Sequence, residues 1–170
     1  MGEVFMRSMR TFFAVVALGV LLSSAVVQTS HAQVMKKGSS ILDVGLGLGY
    51  ALSPFVTYEY GITDKVGPGY IGVGGSASLA FWSGGTAFSI GPEANYHFDF
   101  GTFPPKNLDL YLGLGIYYYN WFGNTSNYIP IDWSGHIGGR YFFTDKFGIT
   151  LRLGGGINGA GGRVGLSIKL

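Results

Sequence analysis

The chain has no cysteine, so it must find its stability somewhere other than in disulfides. Charge is scarce as well: Asp, Glu, Lys and Arg make up 12% of the residues, where a water-soluble domain averages about 25%. That excludes an ordinary solvated surface of mixed charges. After residue 27 long apolar runs are also missing. Every later stretch is cut by Gly, Ser, Asp or Arg before it reaches the roughly 20 residues that a membrane-crossing helix needs.

Glycine and aromatic residues are abundant instead, with 30 glycines and 16% Phe, Trp and Tyr in 170 residues. The first 32 residues differ from the rest. Arg7 and Arg10 precede an apolar run from Thr11 to Val27, and Ser30-His31-Ala32 follows with small residues at the positions a signal peptidase reads. The sequence thus predicts a signal peptide over 1–32 with cleavage after Ala32, and a single domain over 33–170. Met1, Met6 and Met9 are alternative starts that leave this reading unchanged.

The remainder alternates with period two, the signature of strands. Leu42, Val44, Leu46, Leu48 and Tyr50 share one face, and Asp43, Gly45, Gly47 and Gly49 the other. The clearest strand sets Leu108, Leu110, Leu112, Leu114, Ile116 and Tyr118 against Asp109, Tyr111, Gly113, Gly115, Tyr117 and Tyr119. Similar runs begin near Val56, Tyr70, Phe88, Ile131, Phe147 and Val164, which makes eight strands of about 9 to 12 residues, long enough for a tilted bilayer crossing. Pro92 falls inside the fourth, where a missing donor predicts a bulge or a local distortion.

The distribution of charge decides the orientation of the sheet. Drawn this way, the apolar faces carry no charge, while Asp43, Glu59, Glu93, Asp99, Asp109, Asp132, Arg140, Arg152, Arg163 and Lys169 all fall on the opposite face. Glycine shares that face and leaves too little bulk for a hydrophobic core. The expected architecture is therefore an all-β, eight-stranded antiparallel up-and-down transmembrane β-barrel with lipid outside and polar groups within. An open edge in lipid would strand backbone donors and acceptors, so the first and last strands must pair.

Ten charges cannot be enclosed unpaired. The expectation is a lumen network of Asp43, Glu59, Glu93, Asp109, Asp132 and His136 with Arg140, Arg152, Arg163 and Lys169, leaving no continuous pore. Two similar turns, Thr63-Asp64-Lys65 and Thr144-Asp145-Lys146, follow strands two and six and so share a rim. With 101–107 they are expected to be the periplasmic turns, bearing Lys36, Lys37, Lys65, Lys106 and Lys146. Nearly balanced charge, with its lysines on that rim, gives no support for nucleic-acid binding.

The connection 120–130 is the one long external loop expected. It carries Trp121, Phe122, Asn124 and Tyr128 as candidate recognition residues, and Trp121, Phe122 and Tyr117 to Tyr119, with Tyr50, Trp82 and Trp133, as an outer aromatic girdle. Phe98, Phe100, Phe143 and Phe147 suit a lower girdle. Asn124-Thr125-Ser126 also has the form of an N-glycosylation acceptor, a pattern frequent by chance.

The paired Thr-Asp-Lys turns, the segment from Gly138 to Gly148, and the closing alternation from Val164 to Leu170 resemble the small eight-stranded outer-membrane barrels of the OmpA and OmpX type, in particular those of Bacteroidetes. The resemblance covers the whole domain and is one of architecture. It implies the bacterial outer membrane as location, outer-membrane lipid as surroundings, a monomer, and biogenesis through periplasmic chaperones and the barrel-assembly machinery. That machinery reads a terminal aromatic residue in the family, whereas this chain ends in Leu170, which implies a weakened signal.

Catalysis has thin support. Asp132, Ser134 and His136 share a face, but residues two apart on a strand lie about 6.6 Å apart along it, beyond a hydrogen-bonded relay. Some barrels of this size modify lipid A, yet no His-x-Ser pair faces lipid here. His97 and His136 read as lumen hydrogen-bonding residues, since no third metal ligand stands beside them. The Gly45 to Gly49 and Gly154 to Gly156 segments read as places needing no inward bulk, because no helix follows them as a phosphate loop requires. No cofactor is expected. A structural or surface-interaction barrel is the leading reading; small-solute binding or a narrow channel is the alternative, and a lipid-modifying enzyme comes third.

Overall fold

A computed structural model describes residues 35–49, 51–123 and 129–170. The expected signal peptide, with Arg7, Arg10 and Ala32, lies outside the described residues, as do Tyr50, Asn124 and Tyr128. Eight strands follow one another: β1 (Ser40–Leu48), β2 (Ser53–Gly61), β3 (Gly69–Trp82), β4 (Gly85–Phe98), β5 (Leu108–Gly123), β6 (Ile131–Phe142), β7 (Phe147–Gly156) and β8 (Gly159–Lys169). Each pairs antiparallel with its neighbours, and β1 closes on β8 from Ile41↔Lys169 to Leu48↔Gly162. The result is a closed up-and-down transmembrane barrel with no helix among the described residues.

The wall is inverted relative to a soluble protein. On β5 Leu112, Leu114, Ile116 and Tyr118 stand exposed, Leu114 at 63%, while the intervening Tyr111 and Tyr117 are buried. Trp133 and Ile137 on β6, Ile149, Leu151 and Leu153 on β7, and Val164 and Leu166 on β8 repeat the pattern. Asp43, Glu59, Asp109 and Arg140 are at most 2% exposed. Such a surface is stable only where acyl chains, not water, meet it.

Pro92 distorts its strand without a bulge. The β3–β4 register runs unbroken through Gly75↔Pro92. On the other side the β4–β5 ladder skips Gly91 and Pro92, then resumes at Glu93↔Gly115 in the same register. A Cβ on Gly91 would collide with the Ile116 carbonyl, so this close seam needs glycine.

Strand limits depart from expectation where side chains keep alternating past the assumed end. β5 continues to Gly123, which places Trp121 and Phe122 on the strand and not in a loop. Trp121 and Trp82 then fall on the inner faces of β5 and β3, where their rings meet edge to face at 5.1 Å. Tyr117 and Tyr119 are also inward, so of the three consecutive tyrosines only Tyr118 belongs to a lipid-facing girdle. Phe122, exposed, remains outside with Trp133. Ser83-Gly84 and Ile157-Asn158 each form a two-residue hairpin connection.

Both Thr-Asp-Lys turns lie at the rim that carries Met35 and Leu170. Thr144 caps its own turn by accepting the amides of Lys146 and Phe147 at 3.3 and 2.9 Å, while Thr63 accepts the amide of Ile71 across the hairpin at 2.9 Å. Asp99, expected inside, lies past the end of β4 on this rim. It pairs with Lys65 at 3.0 Å, and the hydrogen bond from Lys65, with another from the Gly101 amide, holds its carboxyl below the usual range. Lys37 pairs with Asp64 at 2.8 Å.

Candidate functional site

The lumen is stacked in layers, beginning at the rim with Met35. There Met35, Ile41 and Phe142 form a small apolar floor, all nearly inaccessible. Met35 is held in place by the turn that follows it, whose Gly38 amide donates to the Gly61 carbonyl at 2.9 Å. Lys169, half-buried, places its ammonium 4.4 Å from the centre of the Phe142 ring.

Above the floor lies an acid-rich layer built around Arg140. Its guanidinium donates to Asp43 at 2.8 to 3.2 Å, to Glu59 at 2.7 Å and to Asp109 at 3.0 Å, so one cation on β6 holds carboxylates from β1, β2 and β5. His97 on β4 bridges Glu59 at 2.7 Å and Asp109 at 2.8 Å, and Ser167 on β8 donates to Asp43 at 2.6 Å. A planar guanidinium offers five donors in a fixed fork, against the three of an ammonium, and can grip one carboxylate bidentately while it bonds others.

Tyr111 separates this layer from the next. Its ring lies 4.6 Å from the Arg140 guanidinium carbon and 5.6 Å from that of Arg152. The ring also covers Gly138, where a Cβ would strike it, so glycine on this face makes room for the packed tyrosine. Gly113 does the same for Asn95 and His136.

In the third layer Arg152 on β7 grips Glu93 on β4 at 2.7 and 2.8 Å, and Tyr117 donates to the same carboxylate at 2.5 Å. His136 bonds Asn95 Oδ1 at 2.7 Å, and Asn95 Nδ2 donates to Glu59 at 2.8 Å, which ties the two charged layers together. Beyond this layer the lumen widens into a cavity of about 230 Å³.

The structure therefore brings together Asp43, Glu59, Asp109 and Arg140 in one cluster and Glu93 with Arg152 in another, His136 standing beside the second. Three residues expected in the network do different work. Asp132 turns both carboxylate oxygens to the amides of Ile157 and Asn158, at 2.7 and 3.0 Å, because the two-residue β7–β8 connection leaves those donors without strand partners. Arg163 lies a level above the paired acids; it donates to Ser76 at 2.8 Å and covers the Phe55 ring at 5.2 Å. Lys169 sits on the apolar floor with its ammonium over the Phe142 ring, within electrostatic reach of Asp109 and of Asp145. Conversely His97, left outside the expected network, is central to it, and its inward position opposite a surplus of acids was the available signal. Asp132, Ser134 and His136 do not form a relay, since the first is occupied at the turn and the last by Asn95.

No protein-family profile matches the chain, and no curated protein matches it in sequence. Solved structures do match in fold. The N-terminal β-barrel domain of Pseudomonas aeruginosa OprF is 19% identical, with 79% of this chain and 98% of that domain covered and a TM-score of 0.62. The Yersinia pestis outer membrane protein Ail, in a phospholipid bilayer nanodisc, is 13% identical over 79% of this chain and 100% of Ail, at a TM-score of 0.55. A de novo designed transmembrane β-barrel is 14% identical over 81% of this chain and 100% of its own length, also at 0.55. The fold is that of small outer-membrane β-barrels.

Proposed function

We propose that this chain is a monomeric, non-enzymatic barrel of a bacterial outer membrane, with a structural or surface-interaction role and a lumen closed to ion flow. One observation carries the reading: Arg140, fully buried, gathers carboxylates from three other strands above an apolar floor, so the middle of the barrel is filled by side chains that satisfy one another. Moving an ion through would require breaking that cluster inside a low-dielectric wall, at a cost of several kcal/mol per uncompensated charge. A lipid-modifying activity lacks an assembled nucleophile and base among the described residues. The rim with Met35 and the Thr-Asp-Lys turns faces the periplasm in this reading, and the Ile157-Asn158 hairpin faces outward. Periplasmic chaperones and the barrel-assembly machinery are its partners during biogenesis.

Planar bilayer recording of the purified, refolded barrel tests the closed lumen: the expected trace is flat. Steady stepwise conductance from the wild-type protein would refute it. Sidedness is checked on intact cells, where the absence of native cysteine makes single-cysteine labelling clean. An impermeant maleimide should label Ile157→Cys and spare Lys146→Cys.

A further inference from the structure

Above the third layer, the lumen has one feature that sealing does not require. The cavity of about 230 Å³ lies at the end away from Met35, and part of its wall is the glycine-rich surface of three adjacent strands, with Gly47 on β1 and Gly49 just past its end, Gly154 to Gly156 on β7 and Gly161 on β8. Its polar lining includes Arg152, Arg163, His136, Ser134 and Tyr119, and no Asp or Glu is among the described residues lining it. Two observations show that its cations are not fully used. Arg152, only 6% exposed, has a buried Nη2 without a hydrogen-bond partner, although its other nitrogens hold Glu93 and Tyr111. Among the described residues no carboxylate lies within ion-pair distance of Arg163; its hydrogen bond goes to the neutral Ser76 hydroxyl.

The acids that could have balanced these groups are committed elsewhere. Glu93 is shared between Arg152 and Tyr117, and Asp132 is held by two backbone amides. A buried guanidinium nitrogen left without an acceptor is costly. A forked pair of cations beside hydroxyl donors suits a planar or tetrahedral oxyanion.

We propose that this cavity is a binding site for a small soluble oxyanion, a phosphate or a short carboxylate, entering from the rim of the Ile157-Asn158 hairpin and held between Arg152 and Arg163. The volume sets the class: at about 230 Å³ it lies below the range of roughly 300–1,000 Å³ usual for drug-sized ligands. The inference rests on the barrel reading but not on the lumen's being closed, since the site lies above the sealing layers.

Inorganic phosphate is the probe. Nitrogen-15 NMR of the barrel in maltoside micelles, titrated with sodium phosphate against sodium chloride at equal ionic strength, should give saturable shifts at the Arg152 and Arg163 side chains and at the amides of Gly154 to Gly156. Arg163→Gln gives up the bond to Ser76 and the contact with the Phe55 ring, but no ion pair among the described residues, and should weaken phosphate binding at least tenfold. Ala80→Leu, which fills the cavity without touching a charge, should abolish it. A retained β-sheet circular dichroism spectrum and slow migration of the unheated protein on gels show that each variant is still a barrel, which separates failure of the site from failure of the fold. The proposal is overturned by shifts that never saturate, by equal response to chloride, or by unchanged affinity in both variants. Bound-state shifts already present in phosphatidylcholine nanodiscs before any phosphate is added would also overturn it, since the lipid headgroup would then be the occupant.

Discussion

Single residues decide how this lumen tolerates charge. Arg140 is the sharpest case, because its removal would leave Asp43, Glu59 and Asp109 facing one another with only His97 between the last two. Breaking a buried pair from one side costs about 3–5 kcal/mol, since the remaining charge has neither water nor partner. Arg140→Ala should therefore lower the urea midpoint of the folded barrel in micelles sharply, and Lys37→Ala, which removes an exposed rim pair, should leave it unmoved. Equal midpoints for the two variants would mean that the Arg140 cluster does not hold the barrel together. The inward position of every one of these charges was legible from alternation alone. Their partners were not, because parity gives the face of a strand but not the height of a residue in the barrel, which depends on the stagger between strands. Asp132 and Glu93 look alike in sequence; one lies beside a hairpin and feeds backbone amides, the other lies mid-wall and meets Arg152.

At the scale of strands, the faces were readable and the ends were not. β5 shows why: the run from Tyr117 to Phe122 keeps its alternation through Asn120, a residue that by composition suggests a loop, and ladder pairing from Gly85↔Gly123 holds it in the sheet. The tertiary partner overrides local propensity there. The opposite conflict occurs at Pro92, where the two missing β4–β5 rungs coincide with a residue that cannot donate. A proline there withholds a donor from one β5 carbonyl, and on a wall that faces lipid no water replaces it. Pro92→Ala supplies the donor. It should slow amide hydrogen exchange across 115–118 and raise stability by about 1 kcal/mol, the net worth of one hydrogen bond. Unchanged exchange across those amides would show that Gly91, through its close approach to Ile116, and not the proline, opens the seam.

For the whole molecule, cross-lumen bonds do what a hydrophobic core does in a soluble domain. Arg140 joins β6 to β1, β2 and β5, and His97 adds β4. Arg152 ties β7 to β4, Arg163 ties β8 to β3, and Thr57 ties β2 to β3. Every strand is thus linked through the interior as well as along the wall, and the closed ladder leaves no edge at which pairing can fray. Losing one strand would expose backbone groups to lipid and carboxylates to one another together. Unfolding should accordingly be all-or-none. Trp82 and Trp121 lie toward the hairpin rim on the inside and Trp133 on the outside, whereas the Arg140 cluster lies nearer the other rim. Tryptophan fluorescence and far-ultraviolet circular dichroism should then give coincident urea transitions in micelles. Two separated transitions, with the tryptophans reporting first, would mean that the glycine-lined cavity end opens independently and that the charged layers stabilise only the half of the barrel that contains them.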